Sequence, residues 1–335
     1  MRSPFLLWKN FQTLIIIYKT FLYFNFMQER YSLIIVGAGP AGLTASIYAS
    51  RYNIPHLLIG SLIGGLATEA YKIENFPTEK EISGLELTQK MKEKAESLGA
   101  KIIVDQVVDI TRKEKDVFEV KTRSANSFLT ETIILCLGTI KRKLNLPQEE
   151  KFLGKGISYC ATCDGPFFKE KVVAVVGGSD SAAVTALYLS EIAEKVYIIY
   201  RREELRAQEA IKEKVIKNEK IEIIYNNNVK ELRGDTQLKE IILENKYKNS
   251  FSLKIDGLFV EIGGVPPQTI IENLNLETDG QGYIKIKEDG STSIKGIWAA
   301  GDVTTGSNGF RQIITACAEG AIAADSVHQY LINKK

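Results

Sequence analysis

The sequence predicts an α/β protein of two Rossmann-like nucleotide-binding units, each a three-layer, doubly wound sheet, and three observations carry that prediction. An apolar strand runs into a glycine turn and then a helix in "YSLIIVGAGPAGLTASIYASRY", which begins at Tyr31. The same succession returns about 140 residues later in "KVVAVVGGSDSAAVTALYLS", beginning at Lys171. A chain of 335 residues is also too long for one ordinary core and suits two.

In the first copy Gly37 permits the sharp turn, Gly39 lets the backbone approach a pyrophosphate, and Gly42 allows close helix-to-strand packing. The phosphates would sit at the helix N-terminus. The next strand, "PHLLIG", ends in Ile59 and Gly60 without the ribose-binding acid that such sites often carry.

The second copy has the pattern G-x-S-x-x-A: Gly177 makes the turn, Ser179 replaces the middle glycine and Ala182 serves for helix packing. Its next strand, "KVYIIY", ends in "RREELR". An NAD site would offer an acid to the 2'-hydroxyl there. This one offers Arg201 and Arg202, with Arg206 one helical turn on, which suits the 2'-phosphate of NADPH. A solvated charge run is the plainer reading, and the strand-end position favours the cofactor. Two nucleotide folds imply two nucleotides, and electron transfer is the economical reason to hold both.

Near the C-terminus "GIWAAGDV" gives a strand ending in Gly301 and Asp302, followed by the small-residue helix of "GFRQIITACAEGAIAADSV". An acid at such a strand end can reach a ribityl or phosphate hydroxyl, and the helix N-terminus can face an isoalloxazine ring. Between the two copies lies "YCATCDGPFF", whose spacing alone leaves open a metal clamp, a structural staple or a redox centre. Only four cysteines occur, Cys136, Cys160, Cys163 and Cys317, too few for a secreted disulfide scaffold, which points to a reducing compartment. A structural zinc site would want four ligands. There is no second C-x-x-C, and His56 and His328 lie more than a hundred residues from the pair, so no metal is expected.

With 43 basic against 41 acidic side chains, a net charge of +2 and no basic stripe, the composition fits a soluble globular protein and not a nucleic-acid binder. The apolar start, "FLLWKNFQTLIIIYKTFLYFNF", is interrupted by Lys9, Asn10, Gln12, Lys19 and Asn25 too often for a clean membrane span, and no cleavage site follows. Residues 1–26 read as a non-native or disordered extension, with Met27 as the natural start and no membrane attachment.

"GAGPAG", "ENFP", "CATCDG", "GGSDSA", "RREELR", "AAGDV" and "FRQIITA", in this order and spacing, resemble the low-molecular-weight thioredoxin reductases over nearly the whole chain from Met27. The resemblance implies FAD in the first fold and NADPH in the second, and a redox-active disulfide of Cys160 and Cys163. It implies a discontinuous FAD domain, 27–143 plus 264–335, with the NADPH domain 144–263 inserted. "LNLP" and "GGVPP" at the seams suit short connectors about which the units rotate. A cytoplasmic homodimer acting on thioredoxin is expected.

By the same resemblance, Cys163 faces the flavin, Cys160 is the exposed thiol that attacks thioredoxin, and Asp164 is the general acid and base. A C-x-x-C pair at a helix start can lower one thiol pKa to roughly 7. FAD contacts fall on Gly37, Gly39, Pro40, Ala41, Gly42, Gly60, Gly64, Gly65, Asn75, Val107, Gly301, Asp302, Arg311, Gln312 and Ile313. Leu66 stands where the family usually has Gln. NADPH contacts fall on Gly177, Gly178, Ser179, Asp180, Ser181, Ala182 and the three arginines. Cys136 and Cys317 read as small core residues, while His56 and His328 show no partners and read as structural or solvent-facing. The rival readings are a reductase for a glutaredoxin-like protein, peroxiredoxin or small-molecule disulfide, a ferredoxin-driven enzyme, and a non-catalytic flavin sensor.

Overall fold

The computed structural model describes residues 29–334, so the expectation for residues 1–26 lies outside the described residues. Strand β1 (Arg30–Val36) is buried along its last four residues, as the unbroken apolar run requires of a central parallel strand. It leads into α1 (Pro40–Arg51) and then β2 (His56–Gly60). Helix α2 (Gly84–Ser97) starts where Ser83 Oγ accepts the Glu86 amide at 3.2 Å, an N-cap bond. There follow β3 (Lys101–Val104), β4 (Val107–Glu114), β5 (Val117–Thr122), β6 (Ser127–Leu135) and the two-residue β7 (Ile140–Lys141).

The chain then builds a second body: α3 (Glu149–Phe152), β8 (Ile157–Ser158), α4 (Ala161–Asp164), β9 (Val172–Val176), α5 (Asp180–Ile192), β10 (Lys195–Ile199), α6 (Glu209–Ile216) and β11 (Ile221–Ile224). The hairpin strands β12 (Val229–Gly234), β13 (Leu238–Tyr247) and β14 (Ser250–Lys254) precede β15 (Gly257–Val260). Its parallel sheet has the order β11-β10-β9-β15-β8. The chain returns through β16 (Gly264–Val265) and α7 (Gln268–Asn273) to β17 (Ile297–Ala299) and the long α8 (Ile313–Asn333).

The first sheet therefore draws on both ends of the chain. Its order is β3-β2-β1-β6-β5-β4, and β6 serves two partners on one side: residues 127–130 pair with β5, and Ile133–Leu135 pair with β17. Each sheet is covered on both faces. One face of the parallel strands β1–β3, β6 and β17 of the first packs on α1 and α8, and the other on residues of β4, β5 and α7. One face of the second packs on α5 and α6, and the other on the β12–β14 sheet. The three layers match expectation, but strands, not helices alone, make the third layer, because alternating apolar residues of an antiparallel ribbon can bury a parallel face as well as a helix can.

The seams differ from two free connectors. β7 and β16 pair with each other, Lys141 opposite Gly264, and the Arg142 amide donates to Gly263 O at 2.9 Å. Beyond that ribbon the amides of Leu144 and Asn145 donate to the buried Glu149 carboxylate at 3.2 and 2.7 Å.

Candidate active site

At the first turn Gly37 has φ +108°, and a Cβ there would lie 2.0 Å from Cys136 O. A Cβ on Gly42 would lie 1.8 Å from Gly37 O, and one on Gly60 would lie 2.5 Å from Ala38 Cβ, so turn, helix and strand meet with no room for side chains. Gly39 is different: its Cβ would find only Gly64 O and Gly65 Cα, both at 4.0 Å. It is the N-cap of α1 with no side-chain cap, and the first turn carries Pro40 and Ala41 and no acid. The result is a glycine-lined slot at free helix amides, beside the 64–65 loop, whose donors suit a pyrophosphate.

The far end of the chain closes this slot. Asn75 Nδ2 donates to Gln312 Oε1 at 3.0 Å, Arg311 Nε donates to Asp302 O at 3.2 Å, and the Arg311 guanidinium lies 3.8 Å from the centre of the Tyr283 ring. Ile313 opens α8, which Gln312 and Thr315 cap reciprocally. Burial pushes the Asp302 carboxyl up, with Arg311 opposing and Glu319 adding to the rise. Glu319, which the sequence reading missed, fixes the loop after Gly301: its carboxylate accepts from the Gly301 amide (2.8 Å), Thr304 (2.8 Å) and Ser307 (2.6 Å). Val107 is buried in the core and pairs with Thr122 across β4 and β5. Leu66 is exposed.

At the second turn Gly177 has φ +144°, and its Cβ would meet Glu261 O at 2.2 Å, while a Cβ on Gly178 would strike the Tyr200 ring at 2.5 Å. Ser179 is the N-cap of α5 without a side-chain cap, Ser181 is exposed and Ala182 is buried. Asp180 is committed to the protein, accepting from the backbone and side chain of Gln208 at 2.7 and 2.9 Å. Arg202, Arg206 and Asn226, with Glu203 to Leu205, line an open depression of about 510 Å³. One expectation is corrected, the helical placement of Arg206, and Arg201 stands apart from the other two arginines. Arg201 is exposed but does not line this depression. Arg206 is not a helical turn beyond the strand: Leu205 is buried, the Arg206 amide donates to Gly178 O at 2.7 Å, and α6 begins only at Glu209. The bend turns Arg206 back to the glycine turn by tertiary packing.

Between the cradles Cys160 and Cys163 form a disulfide with a Cα–Cα distance of 5.3 Å. Cys160 is the N-cap of α4, and Cys163 and Asp164 lie on it. Ser158, also missed from the sequence, organises the turn: its hydroxyl donates to Asp164 Oδ2 at 2.6 Å and accepts the Cys160 amide at 3.0 Å. Cys163 is exposed and Cys160 is half-buried beside Thr162, whose hydroxyl lies 3.4 Å from the Cys160 sulfur.

Cys136 is buried, and burial pushes its thiol up; Cys317 is half-buried, with its thiol also raised. Both histidines prove to have partners. Buried His56 sits 2.8 Å from Ser46 Oγ and 2.9 Å from Ile54 O, with burial pushing its pKa down, and His328 stacks on Tyr52 at 4.3 Å. Both roles are structural. Among the described residues no group of three or more His, Cys, Asp and Glu side chains could hold a metal.

Residues 31–320 match the family model described as pyridine nucleotide-disulphide oxidoreductase. The thioredoxin reductase of Treponema pallidum is 41% identical over 308 residues, covering 91% of this chain and 98% of the relative. Among solved structures, the thioredoxin reductase of Lactococcus lactis, in what is described as its FR conformation, is 36% identical with a TM-score of 0.86, covering 90% of this chain and 99% of that one. That of Streptococcus pyogenes is 37% identical and covers 91% and 99%, yet has a TM-score of 0.59. With its paired nucleotide turns and the intervening disulfide, the chain belongs to the pyridine nucleotide-disulphide oxidoreductases and, within them, to the low-molecular-weight thioredoxin reductases.

Proposed function

We propose that the protein is an NADPH-dependent flavoprotein that reduces the disulfide of thioredoxin, working as a cytoplasmic homodimer. The observation that carries this reading is the Cys160–Cys163 disulfide on α4, set between a dinucleotide slot and an arginine-lined depression. Residues 27–143 with 264–335 form the FAD domain and 144–263 the NADPH domain, a division supported by the two separate sheets. Among the described residues no helix is long and apolar enough to cross a membrane.

The glycine slot and α1 amides would hold the FAD pyrophosphate, Asp302, Asn75 and Gln312 would contact the same cofactor, and Arg202 and Arg206 would hold the 2'-phosphate of NADPH. Bound FAD supplies what side chains lack, a relay of two electrons from a nicotinamide hydride to a disulfide. The chain's residues do the rest. Two electrons break the Cys160–Cys163 bond, and Asp164, held by Ser158, keeps a proton at hand. The Cys160 thiolate attacks one sulfur of the thioredoxin disulfide and expels the other as a thiolate, which takes the proton from Asp164. Cys163 then attacks Cys160 Sγ, releases reduced thioredoxin and restores the internal disulfide.

Rotation between the units belongs to the same proposal. Two solved relatives of near-equal identity and coverage score 0.86 and 0.59, which is what units of one fold in two mutual orientations produce. The test is NADPH oxidation by the purified yellow protein against thioredoxin, glutaredoxin-like proteins, a peroxiredoxin and small disulfides. Thioredoxin should be reduced fastest, and Cys160→Ser should abolish that turnover. Turnover with ferredoxin but not NADPH, or with no disulfide at all, overturns the proposal.

A further inference from the structure

Among the described residues, the contacts that cross between the units away from the Lys143–Glu150 seam include three sets. Tyr71 lies 4.4 Å from Tyr188, ring to ring, and donates to Glu191 at 3.0 Å. Lys214 pairs with Glu74 at 2.9 Å. The third is the least exposed and centres on Lys141, which lies on the β7 connector itself. Its ammonium reaches Glu69 Oε2 at 2.7 Å, in the turn that follows the 64–65 loop, and Glu261 Oε1 at 3.4 Å, just past β15. It also donates to the carbonyl of Tyr159, the residue before Cys160. Glu261 accepts from Thr185 at 3.3 Å, and Glu69 is gripped again through its carbonyl, which accepts from Thr162 inside the C-x-x-C pair at 3.2 Å.

We infer that Lys141 is a positioning residue that latches the two units in the mutual orientation described here, by bridging one carboxylate from each unit at the connector. Glu69 and Glu261 come close enough to repel each other, and Lys141 is the cation that offsets that repulsion. A large rotation carries Glu69 away from Glu261, so one lysine cannot hold both afterwards. The latch is thus specific to one orientation, unlike a contact within either unit. Removing the ammonium leaves two partly buried carboxylates facing each other, which disfavours this orientation.

The inference rests on the proposal that the units rotate, and its test reads orientation and not turnover. Solution scattering of the holoenzyme, and the rate at which a phosphine reduces its disulfide, would be compared for wild type, Lys141→Met, Lys141→Arg and Glu261→Gln. A tenfold shift in the orientation ratio corresponds to about 1.4 kcal/mol. Lys141→Met is expected to change the scattering profile and the phosphine rate several-fold, Lys141→Arg to restore both, and Glu261→Gln, which loses the cross-unit pair but also the repulsion from Glu69, to move both less. If Lys141→Met fails to fold, Glu261→Gln carries the test. Scattering and phosphine rates like wild type in a folded Lys141→Met, or in Glu261→Gln where the first does not fold, overturn the latch. Loss of thioredoxin turnover with unchanged scattering would count against the latch alone, and wild type inactive with thioredoxin would count against the functional proposal alone.

Discussion

The first nucleotide cradle is closed by chain from the opposite end of the sequence, whereas the second is closed by residues of its own unit. A Cβ on Gly320 of α8 would lie 2.2 Å from Ala41 O of α1, so the C-terminal helix seals the first turn at backbone contact. In the second, the loop after β10 folds back on Gly178 through the Arg206 amide. The acids differ in the same way: Asp302 is half-buried behind Arg311 and Tyr283, while Asp164 is held by a single hydroxyl beside an exposed cysteine. A closed cradle suits a cofactor that stays, and an open one suits a cofactor that comes and goes.

The largest effect should come from within the closed cradle. Gly37→Ala combines a left-handed backbone with a clash on Cys136 O and should cost about 2–5 kcal/mol, with loss of flavin. Gly39→Ala, whose Cβ has only 4.0 Å neighbours, should leave apoprotein stability within about 0.5 kcal/mol while weakening flavin retention. Urea unfolding of flavin-stripped protein, with flavin absorbance of the purified holoenzyme, separates the two; equal instability would mean that the slot is not what distinguishes them.

Next comes Asp164→Asn, which should slow disulfide turnover about a hundredfold and leave NADPH-driven flavin bleaching nearly intact. Stopped-flow measurement of each half-reaction decides it, and equal slowing of both removes Asp164 from the acid role. For the open cradle, replacing Arg202 and Arg206 by Gln should raise the KM for NADPH by about ten- to a hundredfold and change NADH kinetics little. Arg201→Gln should have the smaller effect, because Arg201 is off the depression.

The smallest effect is a pH dependence of the closed cradle. Because burial raises the Asp302 pKa in the fold, the folded state holds that proton more tightly than the unfolded chain does. The stabilisation is complete below the ordinary aspartate range and is lost as pH rises through the raised value. Asp302→Asn should therefore flatten that loss and leave flavin-stripped protein more stable than wild type at neutral pH. Parallel urea titrations at several pH values test it, and an unchanged slope would place Asp302 in solvent.

The contrast also explains what the sequence made legible. Glycine turns are written locally, because a clash within a few residues of Gly37 or Gly177 depends on one short stretch. Arg202 was legible for the same reason. The return of Arg206 was not, since it depends on burying Leu205 and on one amide bond to Gly178. Glu319 looked like an ordinary helix residue, and its grip on Gly301, Thr304 and Ser307 exists only once α8 is docked. Ser158 lay two residues before a motif that draws attention to its cysteines. The pairing of β7 with β16 joins residues more than a hundred positions apart, which no periodicity reveals.

The division of β6 between two partners has a consequence for synthesis of the chain. Residues 133–135 wait for β17, and α1 waits for α8, so the first unit to leave the ribosome is the last to be finished. The second unit has all its strands once Val260 has emerged, whereas β17 begins at Ile297. At about 5–20 residues per second, that interval lasts roughly 2–7 s, during which one edge of β6 and the apolar face of α1 are uncovered. Flavin capture waits for α8 to dock on α1.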